Sequence, residues 1–228
     1  MLAAPRSLPH HVGGAARVRP AAGGAVMFVQ VVRGVVADPA ATFARLDDWL
    51  ERLAPGAAGW LGTTAGVTAD GELVSFVRFA SAADARRSSD RVEQGLWWAG
   101  SVLLFTGDVV FDNYDDVELV GDGGADGAGT VEVLLGRTRR GRSAQELGAR
   151  LAALTADPAT GAIGGLLGHH DDGQFTHALW FCRSVSARAE PVLDPRSLRA
   201  GRLVGVDVRV LRLQSLWFGS PERAGRPA

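Results

Sequence analysis

The sequence contains no lysine: all 24 basic residues are arginine. A chain without lysine cannot form a Schiff base through an ε-amino group, and it cannot build the phosphate loop GxxxxGK[ST]. Cys182 is the single cysteine, which excludes an internal disulfide and a cysteine-rich metal site. Cysteine usage of this kind favours a reducing, cytoplasmic setting.

Charge of one sign is not in excess either, because 24 basic residues face 25 acidic ones and the formal net charge is −1. No overall field therefore favours nucleic acid or an anionic membrane, and we expect neither as a partner. Residues 1–26 lack an apolar period and a run of signal-peptide length, so they are predicted to be a disordered tail. Met27, directly before the first predicted strand, is an alternative start.

One stretch of the chain occurs twice. Residues 59–86 align without a gap with residues 161–188, at a constant offset of 102. Eight of the 28 aligned positions are identical, whereas roughly two would be expected by chance from average residue usage. Both copies carry Asp-Gly between two apolar runs, at Asp70-Gly71 and Asp172-Gly173, which predicts a β-hairpin with a two-residue type I′ turn.

The segments around each hairpin also repeat. Apolar and capping patterns predict β-α-β-β-α-β twice, with last strands at 109–119 and 206–218. We therefore divide the chain into a first repeat at 27–120, a Gly/Asp-rich linker at 121–129, a second repeat at 130–220 and a tail at 221–228.

The two repeats differ at the second helix. In the first repeat, capping patterns at Ser81 and Asp90 predict a helix that breaks near residues 88–89 and restarts. In the second repeat, Pro191 and Pro195 lie where that helix should run, and proline inside a helix costs about 3 kcal/mol. The second copy of the helix is therefore expected to be shortened or replaced by a loop.

The strands of the first hairpin are apolar on both faces, so helices on one side leave the other side to be covered. Two sheets packed face to face in one chain meet that need. A resemblance to known proteins is carried by four motifs: VMFVQVVRG, APGAAGWLGTTAGVTADG, SDRVEQGLWWA and GGLLGHHDDGQFTHALWF. Through these motifs, residues 27–220 resemble the dimeric α/β-barrel superfamily, and within it the antibiotic-biosynthesis-monooxygenase-like proteins, in a tandem form similar to actinobacterial proteins. The resemblance implies an α+β fold of two fused ferredoxin-like repeats that form an intramolecular barrel.

The resemblance also implies a reaction and a site. Members that oxygenate polycyclic phenols need no metal or flavin, because the deprotonated substrate itself reduces oxygen. They hold the substrate carbonyl with a side-chain amide and a tryptophan near the start of the second helix, which resemble Gln94 and Trp98 here. Trp97 and Asn113 with Tyr114 are expected to add ligand contacts; the family's active-site tyrosine and arginine have no clear match.

Trp97 and Trp98 are about 100° apart around a helix, so they are predicted to point in different directions. A basic residue beside Gln94 and Trp98 would favour an enzyme, whereas a slot filled by its own side chains would favour a non-enzymatic protein. Because only the first repeat keeps these side chains on an uninterrupted helix, we expect any small-molecule site there.

A histidine cluster in the second hairpin is the weaker candidate. With a two-residue turn at Asp172-Gly173, His170 and His177 would be diagonal neighbours on one face, roughly 7–8 Å apart, and could bind a metal or relay a proton. A polar hairpin tip explains the same residues.

Two functions therefore stay open: a cofactor-independent monooxygenase or isomerase acting on an aromatic or polyketide-like molecule, and a non-enzymatic small-molecule-binding or structural barrel. The chain is expected to be a monomer or a homodimer.

Overall fold

The computed structural model describes residues 27–121, 127–139, 144–183 and 192–224. The expected tail at 1–26, most of the linker and Pro191 lie outside these ranges. The described strands are β1 (Phe28–Val35), β2 (Trp60–Val67), β3 (Glu72–Phe79), β4 (Val110–Tyr114), β5 (Asp116–Gly121), β6 (Ala128–Arg137), β7 (Ala162–His169), β8 (Gln174–Cys182), β9 (Arg209–Leu213) and β10 (Ser215–Gly219). The helices are α1 (Pro39–Arg52), α2 (Ala82–Ser89), α3 (Val92–Ser101), α4 (Ala144–Ala156), α5 (Pro195–Ala200) and α6 (Pro221–Ala224). No helix among the described residues is long and apolar enough to cross a membrane.

The strands form two antiparallel five-stranded sheets, in the orders β10-β2-β3-β1-β4 and β5-β7-β8-β6-β9. Their inner faces pack against each other through one cluster drawn from both halves, which includes Val31, Phe76, Val133 and Trp180. This confirms the expected α+β barrel of two ferredoxin-like repeats within one chain. Helices cover the outer face of each sheet, with a separate apolar cluster under each helical layer.

Each sheet receives one of its two edge strands from the other half. The predicted single strands at 109–119 and 206–218 are wrong: each divides after five residues, at Asp115 and at Gln214. The first parts, β4 and β9, pair with the strands β1 and β6 of their own halves. The second parts cross over, so that β5 pairs with β7 and β10 pairs with β2. A repeat considered alone gives no signal for this exchange, because the pairing partner lies in the other copy.

Both hairpins use the same turn, and it is not the predicted two-residue turn. The Gly71 amide donates to the Thr68 carbonyl and the Gly173 amide donates to the His170 carbonyl. The glycines lie at φ 87° and 85°, which is the longer hairpin connection that ends in a left-handed glycine. The Asp-Gly pattern located the turns correctly but not their length.

Local signals set most helix boundaries. The Asp38 carboxylate caps α1 by accepting from the amides of Ala40 and Ala41, and Ser81 caps α2. The break after residue 89 is confirmed, but the residue before α3 is Arg91, whose side chain makes no cap hydrogen bond. In the second half, α5 has only six residues, as its prolines predicted.

Candidate functional site

The helix α3 lies over the outer face of the first sheet and carries two of the expected site residues in different directions. The Trp97 indole donates to the Arg45 carbonyl on α1 at 3.2 Å. The Trp98 ring lies instead against Phe111 of β4, with ring centroids 5.2 Å apart, and against Phe105 at 6.2 Å. The predicted divergence of the two tryptophans is confirmed, and Trp98 forms one wall of a half-buried aromatic layer at the edge of the sheet.

Gln94 is one helical turn before Trp98, and its amide has a fixed orientation. The Trp49 indole donates to Gln94 Oε1 at 2.7 Å. An indole N–H can only donate, so the amide oxygen must face Trp49 and the NH₂ group must face away from it. No described residue accepts from Gln94 Nε2, so a half-buried donor lies one helical turn before Trp98. Trp49 was missed in the sequence, where it reads as an ordinary packing residue.

Arg45 is the basic residue beside this layer. Its guanidinium donates to the Trp97 carbonyl at 2.6 Å and to Ser101 Oγ at 3.1 Å, and it pairs with Asp48 at 3.3 Å. It also lies 5.2 Å from the centroid of the Trp97 ring. These contacts tie α3 to α1, so Arg45 supports the position of α3 as well as its electrostatic environment.

Asn113 and Tyr114 are neighbours on β4, and the alternation of the strand sends them to opposite faces. Asn113 Oδ1 accepts from Gln30 Nε2 at 3.0 Å on the helical side. Tyr114 is fully buried between the sheets, with its hydroxyl 2.8 Å from Thr176 Oγ1. Burial raises the pKa of Tyr114 to about 12, and the Thr176 hydrogen bond opposes part of that shift. The structure therefore places Asn113 on the helical face of β4, together with Phe111 and the Trp98 ring that packs on it, and Tyr114 on the opposite face.

The two candidate histidines are not neighbours. Because the turn is longer than predicted, His177 pairs with Leu167 and not with Gly168. His177 is fully buried under the helices, whereas the His170 ring stacks on Tyr114 with centroids 4.6 Å apart. Among the described residues, no group of three His, Cys, Asp or Glu side chains could hold a metal ion.

Burial lowers the pKa of His177 to about 4, and the backbone of Leu166 offsets only part of the effect. Neither ring nitrogen has a hydrogen-bond partner of good geometry among the described residues.

A cavity of about 180 Å³ opens between the two sheets, away from α3. Arg33, Asp112, Gln174 and Arg209 line it. Arg33 pairs with Asp112 at 2.9 Å, Gln174 donates to Asp112 at 2.9 Å, and Arg209 pairs with Glu72, outside the lining, at 2.6 Å. Sequence reasoning missed this cluster, since its members come from five strands of both halves and only the barrel brings them together.

The helix–sheet layer of the first half is buried under α1 and half-buried at its β4 edge. Trp49, Leu50 and Leu53 are 5–7% exposed, in the same apolar cluster. The aromatic and amide side chains at the β1–β4 edge are all half-buried: Gln30, Gln94, Trp97, Trp98, Phe105, Phe111 and Asn113. The expected site residues other than Tyr114 therefore lie at this half-buried edge.

The fold is similar to several solved structures that are spanned almost completely by this chain. One is a presumed monooxygenase from Fusobacterium nucleatum, with 13% identity, 86% of this chain and 95% of that chain covered, and a TM-score of 0.63. Another is a presumed monooxygenase from Lactobacillus acidophilus, with 8% identity, coverage of 86% and 96%, and a TM-score of 0.58. A third is an anthrone oxidase-like protein, with 14% identity, coverage of 88% and 94%, and a TM-score of 0.56.

No family model and no curated protein matches the chain. At these identities the likeness to solved structures establishes the fold alone.

Proposed function

We propose that the protein is a monooxygenase-type enzyme that acts on a planar aromatic small molecule, without a bound metal or flavin, at the first-half layer between α3 and β4. The observation that carries the proposal is the hydrogen bond from Trp49 to Gln94 Oε1. It fixes the Gln94 amide with its NH₂ group directed away from Trp49, as a preorganised donor one helical turn before Trp98. Such a donor stabilises negative charge that develops on a substrate oxygen.

In this reaction the protein has two main roles: it positions the substrate and it stabilises the negative charge that develops on it. An aromatic ketone with an acidic CH₂ group loses a proton to a solvent base and delocalises the charge onto its carbonyl oxygen, where the Gln94 amide would donate; the same proton is returned to the oxygen that later leaves as water. The carbanion then reduces O₂: the CH₂ group becomes a carbonyl that keeps one oxygen atom, and the other oxygen atom leaves as water. Trp98 would hold the flat ring system.

The test uses anthrone as substrate and EDTA-treated protein, with oxygen uptake and quinone absorbance as readouts. Gln94→Met keeps the side-chain volume and should lower kcat by about 10²-fold, the usual effect of losing one oxyanion donor. Trp49→Phe should also lower kcat, because it keeps an aromatic ring but removes the indole N–H and so frees the Gln94 amide to rotate. Trp217→Phe is the matched control, since the Trp217 indole donates to Asp47 elsewhere on α1. Unchanged rates in both Gln94→Met and Trp49→Phe would refute the proposal.

A second candidate rests on the cavity between the sheets. Its lining of Arg33, Asp112, Gln174 and Thr176 suits a small polar molecule that is bound without being transformed. If this is the function, Gln174→Leu should weaken binding of a polar ligand found by thermal-shift screening, and Trp98→Ala should leave that binding unchanged.

A further inference from the structure

Strands β1 and β6, each next to an edge strand of its sheet, carry a polar side chain at the same register on their helical face. In the first half this is Gln30, which lies opposite Val77 on β3 and Asn113 on β4. In the second half it is Glu132, which lies opposite Leu179 on β8 and Arg212 on β9. These two positions are related by the offset of 102 and provide a comparison within one molecule.

The second half fills the space above this position with its own chain. The Glu132 carboxylate is buried, at 2% exposure, and accepts from the backbone amides of Val192 and Leu193 at 3.0 and 2.9 Å. The Leu193 side chain is fully buried in the apolar cluster under the helices. A polar group on the strand thus receives N–H donors, and an apolar group lies beside them.

In the first half, no backbone amide among the described residues donates to the Gln30 side chain. Gln30 and Asn113 are half-buried and share a single hydrogen bond, from Gln30 Nε2 to Asn113 Oδ1 at 3.0 Å. The second bond that would close an amide–amide ring is not formed, so Gln30 Oε1 and Asn113 Nδ2 have no partner among the described residues. One carbonyl acceptor and one NH₂ donor therefore remain available to a ligand. If both amides were rotated by 180°, one acceptor and one donor would still remain, with the two residues exchanging these roles.

The amide pair lies on the same face as the aromatic wall. Asn113 and Phe111 are two residues apart on β4, so their backbones are about 7 Å apart along the strand. The Trp98 ring lies directly against Phe111. A planar molecule of two or three fused rings therefore spans the distance from Trp98 to the amides.

We propose that Gln30 and Asn113 form the polar end of the first-half site and select planar ligands that carry a hydrogen-bond donor next to a carbonyl, the edge found in aromatic lactams and hydroxy-ketones. This inference rests on the proposed location of the site beside Trp98. The ligand donor binds Gln30 Oε1, the ligand carbonyl accepts from Asn113 Nδ2, and the rings lie against the aromatic wall of Trp98 and Phe111. Gln30 is then a specificity-determining residue that the sequence did not reveal.

The test compares 2-quinolone with N-methyl-2-quinolone, which keeps the ring and the carbonyl but loses the donor. Affinities are measured by calorimetry with the whole chain. We expect the wild-type protein to bind 2-quinolone about tenfold more tightly, because methylation leaves a half-buried acceptor unpaired. Equal affinity for the two probes, or binding of neither, would overturn the inference without the need for any variant.

Variants then separate this inference from the proposed function. Gln30→Met and Asn113→Leu keep the side-chain volume, and they should reduce the preference between the probes to less than about twofold while the methylated probe still binds. Trp98→Ala should weaken both probes equally. If Trp98→Ala weakens binding of both probes but the Gln30 and Asn113 variants keep the tenfold preference, the amide pair does not determine ligand selectivity. The proposed site beside Trp98 is then still supported. If Trp98→Ala changes neither affinity, both proposals fail.

Discussion

His177 should make the stability of the protein depend on pH. It is fully buried, and burial lowers its pKa from 6.5 to about 4. In the unfolded chain the imidazole binds a proton below pH 6.5, whereas in the folded chain it stays neutral until about pH 4. The stability that neutral His177 allows is therefore complete above pH 6.5 and is lost as the pH falls toward 4.

The magnitude follows from the two pKa values. Between pH 7.5 and pH 5, the proton that only the unfolded chain binds lowers the free energy of unfolding by about 2 kcal/mol. For a chain of this length, that change lowers Tm by roughly 4–8 °C. The measurement is a thermal melt followed by circular dichroism at both pH values, in wild-type protein and in His177→Leu.

We expect His177→Leu to melt at the same or a higher temperature at pH 7.5, because it removes a buried polar ring with no well-placed partner. Its loss of Tm on acidification should be smaller than that of the wild type by roughly 4–8 °C. Leu167→Ala is the matched control: it deletes the buried cross-strand neighbour of His177, so it should lower Tm at both pH values and keep the pH dependence. If His177→Leu loses as much Tm on acidification as the wild type, the buried neutral histidine is not the cause.

Other predictions concern the crossover between the sheets and the N-terminal segment. A Cβ at Gly168 would lie 2.6 Å from Tyr114 Cγ. Gly168→Ala should therefore lower the free energy of unfolding, measured by denaturant titration, by about 1–3 kcal/mol. An unchanged denaturation midpoint would show that the Tyr114 ring can move. Tyr114→Phe removes the hydrogen bond to Thr176 and should cost about 1 kcal/mol in the same assay, whereas no loss would mean that the bond has no net value. Removal of residues 1–26 should shift Tm by less than about 2–4 °C, the equivalent of roughly 1 kcal/mol, and a larger loss would show that the segment packs on the fold.

The aromatic layer and its neighbours show which features of the site could be predicted from the sequence and which could not. Helical geometry alone separated Trp97 from Trp98, because two adjacent residues cannot share a helical face. The same reasoning predicts that Gln94 and Trp98, one turn apart, share a helical face. It could not assign the Trp49 contact, since α1 and α3 are distant in sequence and only packing on a common sheet brings the indole to the amide. Nor could it separate Asn113 from Tyr114 in function until the burial of each face of β4 was known.

The sequence by itself determined the duplicated scaffold, the positions of the turns, the shortened helix of the second half and the burial of one sheet against the other. Each of these depends on local chemistry: glycine at a positive φ, proline in a helix, and strands apolar on both faces. The tertiary structure decided the exchange of β5 and β10, the register that separates His170 from His177, and the hydrogen bonds of the Val192 and Leu193 amides to Glu132. These features depend on partners roughly 40 or more residues away or on one residue of turn length, and neither leaves a periodic signal in the chain.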